Sequence, residues 1–387
     1  MLFKFLKRTE TSLHKRQSIW SVFKKAYLKS KNFKKYWLNL DKQNLPKDLI
    51  KITDLFVQSK SYSWTSKYWR HNMINHYNFI NSLDPNVDPL PTILNTDYSG
   101  LTFLDEFSVD KDLKNPENLK KFKDYYLNKY GNIINKSLDK ISESKSIEHN
   151  IVLIDFYEKL KSKDFGEIYE KINKKIYHKY SPCLEIDNYL ISQHMLLSLN
   201  EYQNIKKLIG KNKKSYNFLE LGAGHGRTAN LILSLEDNCK YVIADLPPSI
   251  YFSYKNLKEF FKNKKMMIAF DINDNHKIHK AFNENDVLFI FPHQLSLFDK
   301  KTFDISISIG NLCEMEKSQI SQYMKLFEEK SKFLYFTVWE MSGLPYSFFQ
   351  YYSVHNNHDY DIKKTWKEHF KSRRQMPKNQ FELGYEF

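Results

Sequence analysis

The stretch from Asn217 to Thr228, Asn-Phe-Leu-Glu-Leu-Gly-Ala-Gly-His-Gly-Arg-Thr, constrains this chain more than any other. An apolar run that ends in three alternating glycines and feeds the helix-forming Ala229 to Leu235 predicts a strand, a tight loop and a helix. Such a turn brings backbone N–H groups and a helix N-terminus against a ligand. Gly222, Gly224 and Gly226 are spaced G-x-G-x-G. A dinucleotide loop needs G-x-G-x-x-G, and Arg227 stands where its last glycine would fall. The loop therefore points to a cofactor other than a dinucleotide.

Downstream, short apolar runs alternate with amphipathic stretches, the pattern of a parallel sheet with helices on both faces. Strands are expected over Phe218 to Leu221, Lys240 to Asp245, Val287 to Phe291, Phe303 to Ile309 and Phe333 to Trp339, with helices over Ser249 to Phe261 and Ser318 to Glu329. Met266 to Phe270 is also strand-like, but Val287 to Phe291 is the choice for the third parallel strand. Asp245 ends the second strand about 20 residues beyond the loop, where an acid meets the ribose hydroxyls of a cofactor at the sheet's switch point.

Upstream, to about Tyr202, the periodicity is helical over Arg16 to Leu38, Leu49 to Val57, Ser66 to Phe79, Pro116 to Tyr130, Asn132 to Ser142 and Asn150 to Lys161. A turn-rich loop runs from Asp84 to Pro91. Asp187 to Leu199 also reads as a helix, continued by Asn200 to Ile209 until Gly210 stops it. Two domains follow: a helical unit over 1–202, serving as substrate cap or for dimerisation, and a cofactor-binding unit over 203–387.

Composition sets limits on partners. No apolar run approaches the roughly 18 residues that a membrane-spanning helix needs. The start, Met1-Leu-Phe-Lys-Phe-Leu-Lys-Arg, lacks a sustained apolar core and a cleavage site, so a cytoplasmic protein is expected. Cys183, Cys239 and Cys313 lie far apart in no paired motif, which fits a reducing compartment. The net charge of +15 comes from lysines scattered through every segment rather than from a stripe. No stable nucleic-acid partner is expected; the basic surface suits acidic glycans or peripheral contact with an anionic membrane, and a homodimer is permitted.

Glu220 to Gly226, E-x-G-x-G-x-G, together with Asp245, resembles the core of the class I S-adenosylmethionine-dependent methyltransferases, over roughly Asn204 to Trp339. The resemblance implies a Rossmann-like doubly wound sheet, with Thr365 to Ser372 and Gln380 to Phe387 as an appended antiparallel pair, and S-adenosyl-L-methionine as cofactor. It implies cofactor contacts from Glu220, Gly222, Ala223, Gly224, His225, Gly226, Asp245, Leu246 and Asn311. Glu220 would accept a hydrogen bond from the cofactor's ammonium, and Asp245 from its ribose. A narrower set, Ser66-Lys-Tyr-Trp69, Ile191-Ser-Gln193, Asp245-Leu-Pro, Asn311-Leu-Cys-Glu-Met315 and Tyr360-Asp-Ile-Lys-Lys-Thr-Trp366, occurs in an order similar to a sugar O-methyltransferase family of bacterial surface-glycan loci. That family often has an aromatic residue where His225 stands, so the role of His225 is left open.

Methyl transfer to a hydroxyl is an in-line displacement that needs alignment and a group to take the proton. Glu314, after the fourth strand, and His293, after the third, are the catalytic candidates; His293 suits packing against the adenine equally well. His355 and His358 lie in a polar loop that either closes over substrate or faces solvent. No tight carboxylate cluster follows the fourth strand, so no metal is expected. Trp339, Tyr346 and Arg373 are the candidate substrate contacts, with Trp69 as a further aromatic. Arg373 and Arg374 suit an anionic group or form an exposed pair. Other acceptors consistent with the sequence are RNA, a small aromatic molecule or a protein. A non-catalytic cofactor-binding scaffold in glycan assembly is the alternative outside catalysis.

Overall fold

The computed structural model of the chain describes residues 32–84, 86–88, 115–134, 143–162, 164–180, 183–210, 213–343, 351–375 and 379–387. The described part of the first half folds into α1 (Phe33–Asn39), α2 (Lys47–Gln58), α3 (Lys60–Trp64), α4 (Lys67–Asn81), α5 (Pro116–Ile134), α6 (Glu143–Leu160), α7 (Phe165–Lys171) and α8 (Lys175–Tyr180). Helix α2 buries Leu49, Ile52, Phe56 and Val57, the one-sided stripe that a surface helix turns to a core. Helix α4 starts where it does because the Ser66 side chain accepts a hydrogen bond from the Trp69 backbone N–H. Most of the helix expected over Arg16 to Leu38, the residues from 135 to 142, and the Pro89 to Pro91 turn lie outside the described residues.

One expectation is corrected at the junction. Residues from Asp187 do not begin a helix. Strands β1 (Cys183–Ile186) and β2 (Tyr189–Ser192) form an antiparallel hairpin closed by Asp187 and Asn188, with φ of +51° and +67°. Two left-handed residues in succession make the turn whose twist matches a hairpin, and Asp and Asn tolerate that conformation. Helix α9 (Gln193–Ile209) starts only after Ser192, whose hydroxyl accepts from the Met195 N–H, and ends at Gly210 with φ +73°.

The rest alternates: β3 (Tyr216–Leu221), α10 (Arg227–Leu235), β4 (Cys239–Ala244), α11 (Ser249–Phe260), β5 (Met266–Ile268), α12 (Asn275–Glu284), β6 (Val287–Ile290), β7 (Phe303–Ile309), α13 (Lys317–Lys330), β8 (Ser331–Trp339), β9 (Met341–Gly343), β10 (Tyr351–Ser353), β11 (Lys367–Arg373) and β12 (Gln380–Glu386). Eight of these strands form one sheet in the order β11-β12-β8-β7-β3-β4-β6-β5. Both strand-like runs are parallel strands: β6 pairs with β4, and β5, passed over in the sequence reading, adds an edge strand beyond it. Strand β12 runs antiparallel to both β8 and β11, giving the appended pair.

Alternate residues of each strand feed two cores, the period-2 signature of a sheet buried on both faces. Phe218, Tyr241, Phe289 and Ile307 join Leu196 of α9, Leu231 of α10 and Leu257 of α11, and that core continues to Phe33 and Tyr77 in the helical half. Leu219, Val242, Leu288 and Phe336 join Ile278 of α12 and Met324 of α13. The fold is a Rossmann-like, doubly wound α/β sheet with helices leading into it. The chain leaves β3 in one direction for β4 and returns on the other side as β7. The carboxyl ends of β3 and β7 therefore flank the switch point, where ligands of such sheets bind. Among the described residues, no helix is long and apolar enough to cross a membrane.

Candidate functional site

Strand β3 runs straight into the glycine loop. Gly222, Gly224 and Gly226 have φ of +75°, +60° and +87°, a region that side chains make costly, which explains a glycine at every second position. The three serve different ends. A Cβ on Gly222 would lie 2.4 Å from the Asn311 side chain, and one on Gly226 would press on Ser253 and Leu257 of α11 at 3.4 Å. A Cβ on Gly224 would meet nothing within 4 Å, so Gly224 is the loop's open face.

Asp245 and Asn311 hold that face in place. One Asp245 oxygen accepts from the Gly224 N–H at 2.9 Å, and the other accepts from Leu246 N–H at 2.6 Å. Burial raises the Asp245 pKa to about 7 in spite of these two bonds. Asn311, just past β7, donates its amide hydrogens to the carbonyls of Leu221, Gly222 and Ile309 at 2.9, 3.1 and 3.0 Å. It staples the two strands at the switch point together, and its Oδ1 is the polar atom left for a ligand. Ala223 is buried within the loop, and Leu246 is half-buried.

Under the loop lies a polar layer that the sequence reading missed. Glu220 points into the core, where its carboxylate oxygen accepts from the Tyr241 hydroxyl at 2.8 Å and burial lifts its pKa to about 8. Arg227, the first residue of α10, forks onto Glu201 of α9 at 2.7 and 2.8 Å and donates to the Ser198 hydroxyl at 2.9 Å. Arg374 reaches the same carboxylate at 2.7 Å, and the Thr228 hydroxyl donates to it at 2.9 Å. Glu201 is wholly buried; burial opposes its charge, yet Arg227 and Arg374 hold its pKa below the usual value. A cation in the first turn of a helix opposes the helix dipole. Arg227 in that position was the sequence's signal that a carboxylate had to stand nearby. Arg374 is thus neither exposed nor paired in role with its neighbour Arg373.

His225 stacks near His194 of α9, with ring centroids 5.1 Å apart. His225 is buried and His194 half-buried; desolvation first, then Arg227, pushes the His225 pKa down to about 3, and desolvation first, then His225 and Arg227, lowers that of His194. The two rings therefore add no charge to the loop's wall beside α9.

The other candidates lie along the carboxyl edge of the same sheet. After β6 a short 3-10 turn, Pro292–Leu297, is locked by Gln294, whose side chain donates to the carbonyls of Ala269 and Ile272 and accepts from Phe291 N–H. His293 in this turn exchanges two hydrogen bonds with Ser61 of α3, ring Nδ1 to hydroxyl at 2.9 Å and backbone N–H to hydroxyl at 3.0 Å. Helix α3 is seated on the rim by that pair, and Trp64 stands edge-on to His293 at 6.5 Å. Glu314 lies half-buried in the turn Leu312–Glu314 beyond β7. Trp339 is the half-buried last residue of β8, opposite Gln380. Arg373, exposed at the end of β11, forks onto Glu340 at 2.8 and 2.7 Å. Tyr346 lies outside the described residues. Trp69 is half-buried in α4 and His358 is exposed. Asp304 binds Lys213 at 2.6 Å at the opposite edge of the sheet, far from these groups in register. Among the described residues no group of three or more His, Cys, Asp or Glu is gathered to hold a metal.

The chain matches no protein-family model and no curated protein. In structure it is similar to the magnesium protoporphyrin IX methyltransferase of Synechocystis PCC 6803, at 10% identity and a TM-score of 0.34 over 49% of this chain and 79% of that one. It is also similar to a SAM-dependent methyltransferase from Aquifex aeolicus, at 12% identity and a TM-score of 0.31 over 48% of this chain and 88% of that one. A third likeness is to the pyocyanin biosynthetic protein PhzM, at 12% identity and a TM-score of 0.34 over 50% of this chain, and it spans 56% of that protein's length.

Proposed function

We propose that this protein is an S-adenosylmethionine-dependent O-methyltransferase whose acceptor is a sugar hydroxyl of a bacterial surface glycan or its precursor. The observation that carries the reading is the glycine loop at the switch point, with an open left-handed residue, Gly224, tied to an acid at the end of the next strand. These residues fit the cofactor: Gly224 leaves room for close approach, and Asp245 offers a carboxylate to ribose hydroxyls. Bound there, the cofactor supplies an electrophilic methyl group on a sulfonium sulfur.

The chain's own residues supply the rest. The loop from Gly222 to Gly226 presents backbone to the cofactor, Leu246 and Ala223 line it, and Asn311 fixes the loop against β7. The neutral pair His194 and His225 adds no positive charge to repel a sulfonium. Glu220 supports the loop from below through Tyr241. Trp339 at the end of β8 suits stacking on a sugar's C–H face, and Arg373 suits an anionic group beside it. The hydroxyl proton needs an acceptor, for which Glu314 and His293 are the residues the sequence offers. Residues 1–202 serve as substrate cap or dimerisation unit on the cofactor-binding residues 203–387, in a cytoplasmic protein.

Calorimetry tests the cofactor. The wild-type protein is expected to bind S-adenosylmethionine, and Gly224→Val, which fills the open face and strains a left-handed residue, is expected to bind at least about tenfold more weakly while keeping its circular dichroism spectrum. No binding by the wild type, or equal binding by the variant, would sink the reading. The net charge favours one competing acceptor, RNA; that reading predicts an RNA affinity that falls steeply with salt.

A further inference from the structure

We propose that His355, oriented by Glu340, is the base that takes the proton from the acceptor hydroxyl, an inference that rests on the methyltransferase reading. Glu340 directly follows β8, and β8 is separated from β3 only by β7. At about 4.8 Å per strand, the pair sits about 10 Å along the carboxyl edge from the glycine loop.

The geometry of the pair is that of an oriented base. His355 Nε2 lies 3.2 Å from Glu340 Oε1. Arg373 covers both Glu340 oxygens, and this contact, before any other, holds the Glu340 pKa below the usual carboxylate value. A carboxylate facing Nε2 fixes the proton there and leaves the Nδ1 lone pair for a substrate proton. The ring stands edge-on to Phe381 of β12, with centroids 5.2 Å apart at 83°, and the backbone beside it is pinned by Val354 N–H to Glu340 carbonyl at 3.1 Å. The His355 side chain is 56% exposed, so Nδ1 is within reach of a ligand. His293 is bound differently. Its Nδ1 is committed to Ser61, its ring is buried, and it lies at the end of β6, on the far side of the loop from β8. It suits a wall of the cofactor pocket better than a base.

The step balances. The hydroxyl oxygen forms a bond to the methyl carbon while the carbon–sulfur bond breaks and its electron pair stays on sulfur, giving a neutral thioether. The hydroxyl proton passes to His355 Nδ1, and the imidazolium formed is stabilised by Glu340. Glu340 acts here as a positioning residue.

The test uses the full chain, tritium-labelled S-adenosylmethionine and, as acceptor, the glycan fraction of cells lacking this gene. His355→Ala is expected to lower the rate of label transfer by about 10²–10⁴-fold, with cofactor affinity unchanged and partial recovery on adding imidazole. Glu340→Gln is expected to lower kcat with KM unchanged. His355→Asn replaces the alanine variant if that variant does not fold. Transfer by His355→Ala within about twofold of wild type overturns the assignment and leaves the methyltransferase reading standing. A loss that imidazole does not relieve makes the ring structural and also overturns it. If the wild type transfers no label to this fraction, the O-methyltransferase reading itself falls, and the assignment with it.

Discussion

Asp245 carries the sharpest consequence at the scale of single residues. Its folded pKa of about 7 stands above the ordinary 3.8 of an aspartate, so between those values the native protein keeps a proton that the unfolded chain has lost. Its contribution to stability is therefore fully present below pH 3.8 and is lost as pH rises through about 7. Ribose hydroxyls donate to the ionised form, so cofactor binding is expected to release a proton near neutral pH and to tighten as pH rises through about 7. Calorimetry in buffers of different ionisation enthalpy reads the proton directly; pH-independent affinity in the wild type, or the same pH dependence in Asp245→Asn, would show the idea to be wrong. Asn311 makes a second prediction. Gly222→Ala is expected to cost several kcal/mol through its clash with Asn311 and its φ, and less in an Asn311→Ala background, since the alanine removes the atoms 2.4 Å away. A double-mutant cycle by urea denaturation that finds no coupling would contradict the staple. Asn311 was expected at the site from the family resemblance; that its amide grips three carbonyls was not legible, since nothing local specifies partners about ninety positions away.

At the scale of elements, the strands were readable as short runs dominated by apolar residues, unbroken in Val287–Ile290 and interleaved with Asp304, Ser306 and Ser308 in Phe303–Ile309. Phe303–Ile309 came out with the bounds expected, and Val287–Ile290 is a parallel strand as expected, next to β4. The hairpin of β1 and β2 was not readable in the same way. Its turn is two polar residues inside a stretch whose apolar spacing also fits a helix, and only the left-handed backbone at Asp187 and Asn188 decides between them. The Glu201 layer escaped for another reason: it joins α9, α10 and the end of β11, and a single residue of sequence separates buried Arg374 from exposed Arg373. The buried and the exposed ion pairs should differ sharply on mutation. Glu201→Gln leaves the buried Arg374 and the half-buried Arg227 without their shared carboxylate and is expected to cost about 3–5 kcal/mol in urea denaturation. Arg373→Ala breaks an exposed pair and is expected to cost less than about 1 kcal/mol. Equal effects would mean that the buried layer bears no special weight.

Over the whole molecule, the carboxyl edge is assembled from distant parts of the chain. Helix α3 reaches the rim through Ser61 and His293, Gln319 of α13 donates to the Trp64 carbonyl, and β12 threads between β8 and β11. The architecture of the second half was legible from the glycine loop onward, since each strand–helix unit carries its own periodicity. The docking of the helical half was not, because the contacts that seat it, among them the Ser61–His293 pair and the edge-on rings of Phe56 and Phe291, join segments without a shared pattern. The placement of β12 and Arg374 has one further consequence, for the order of synthesis. On a ribosome moving at about 5–20 residues per second, the glycine loop and Arg227 emerge several seconds before the strand that completes their support. During that interval Glu201 faces one arginine instead of two, and the edge of β8 lies open to any other strand. The glycine loop is made early and braced late, and the edge of β8 stays unpaired until β12 is made.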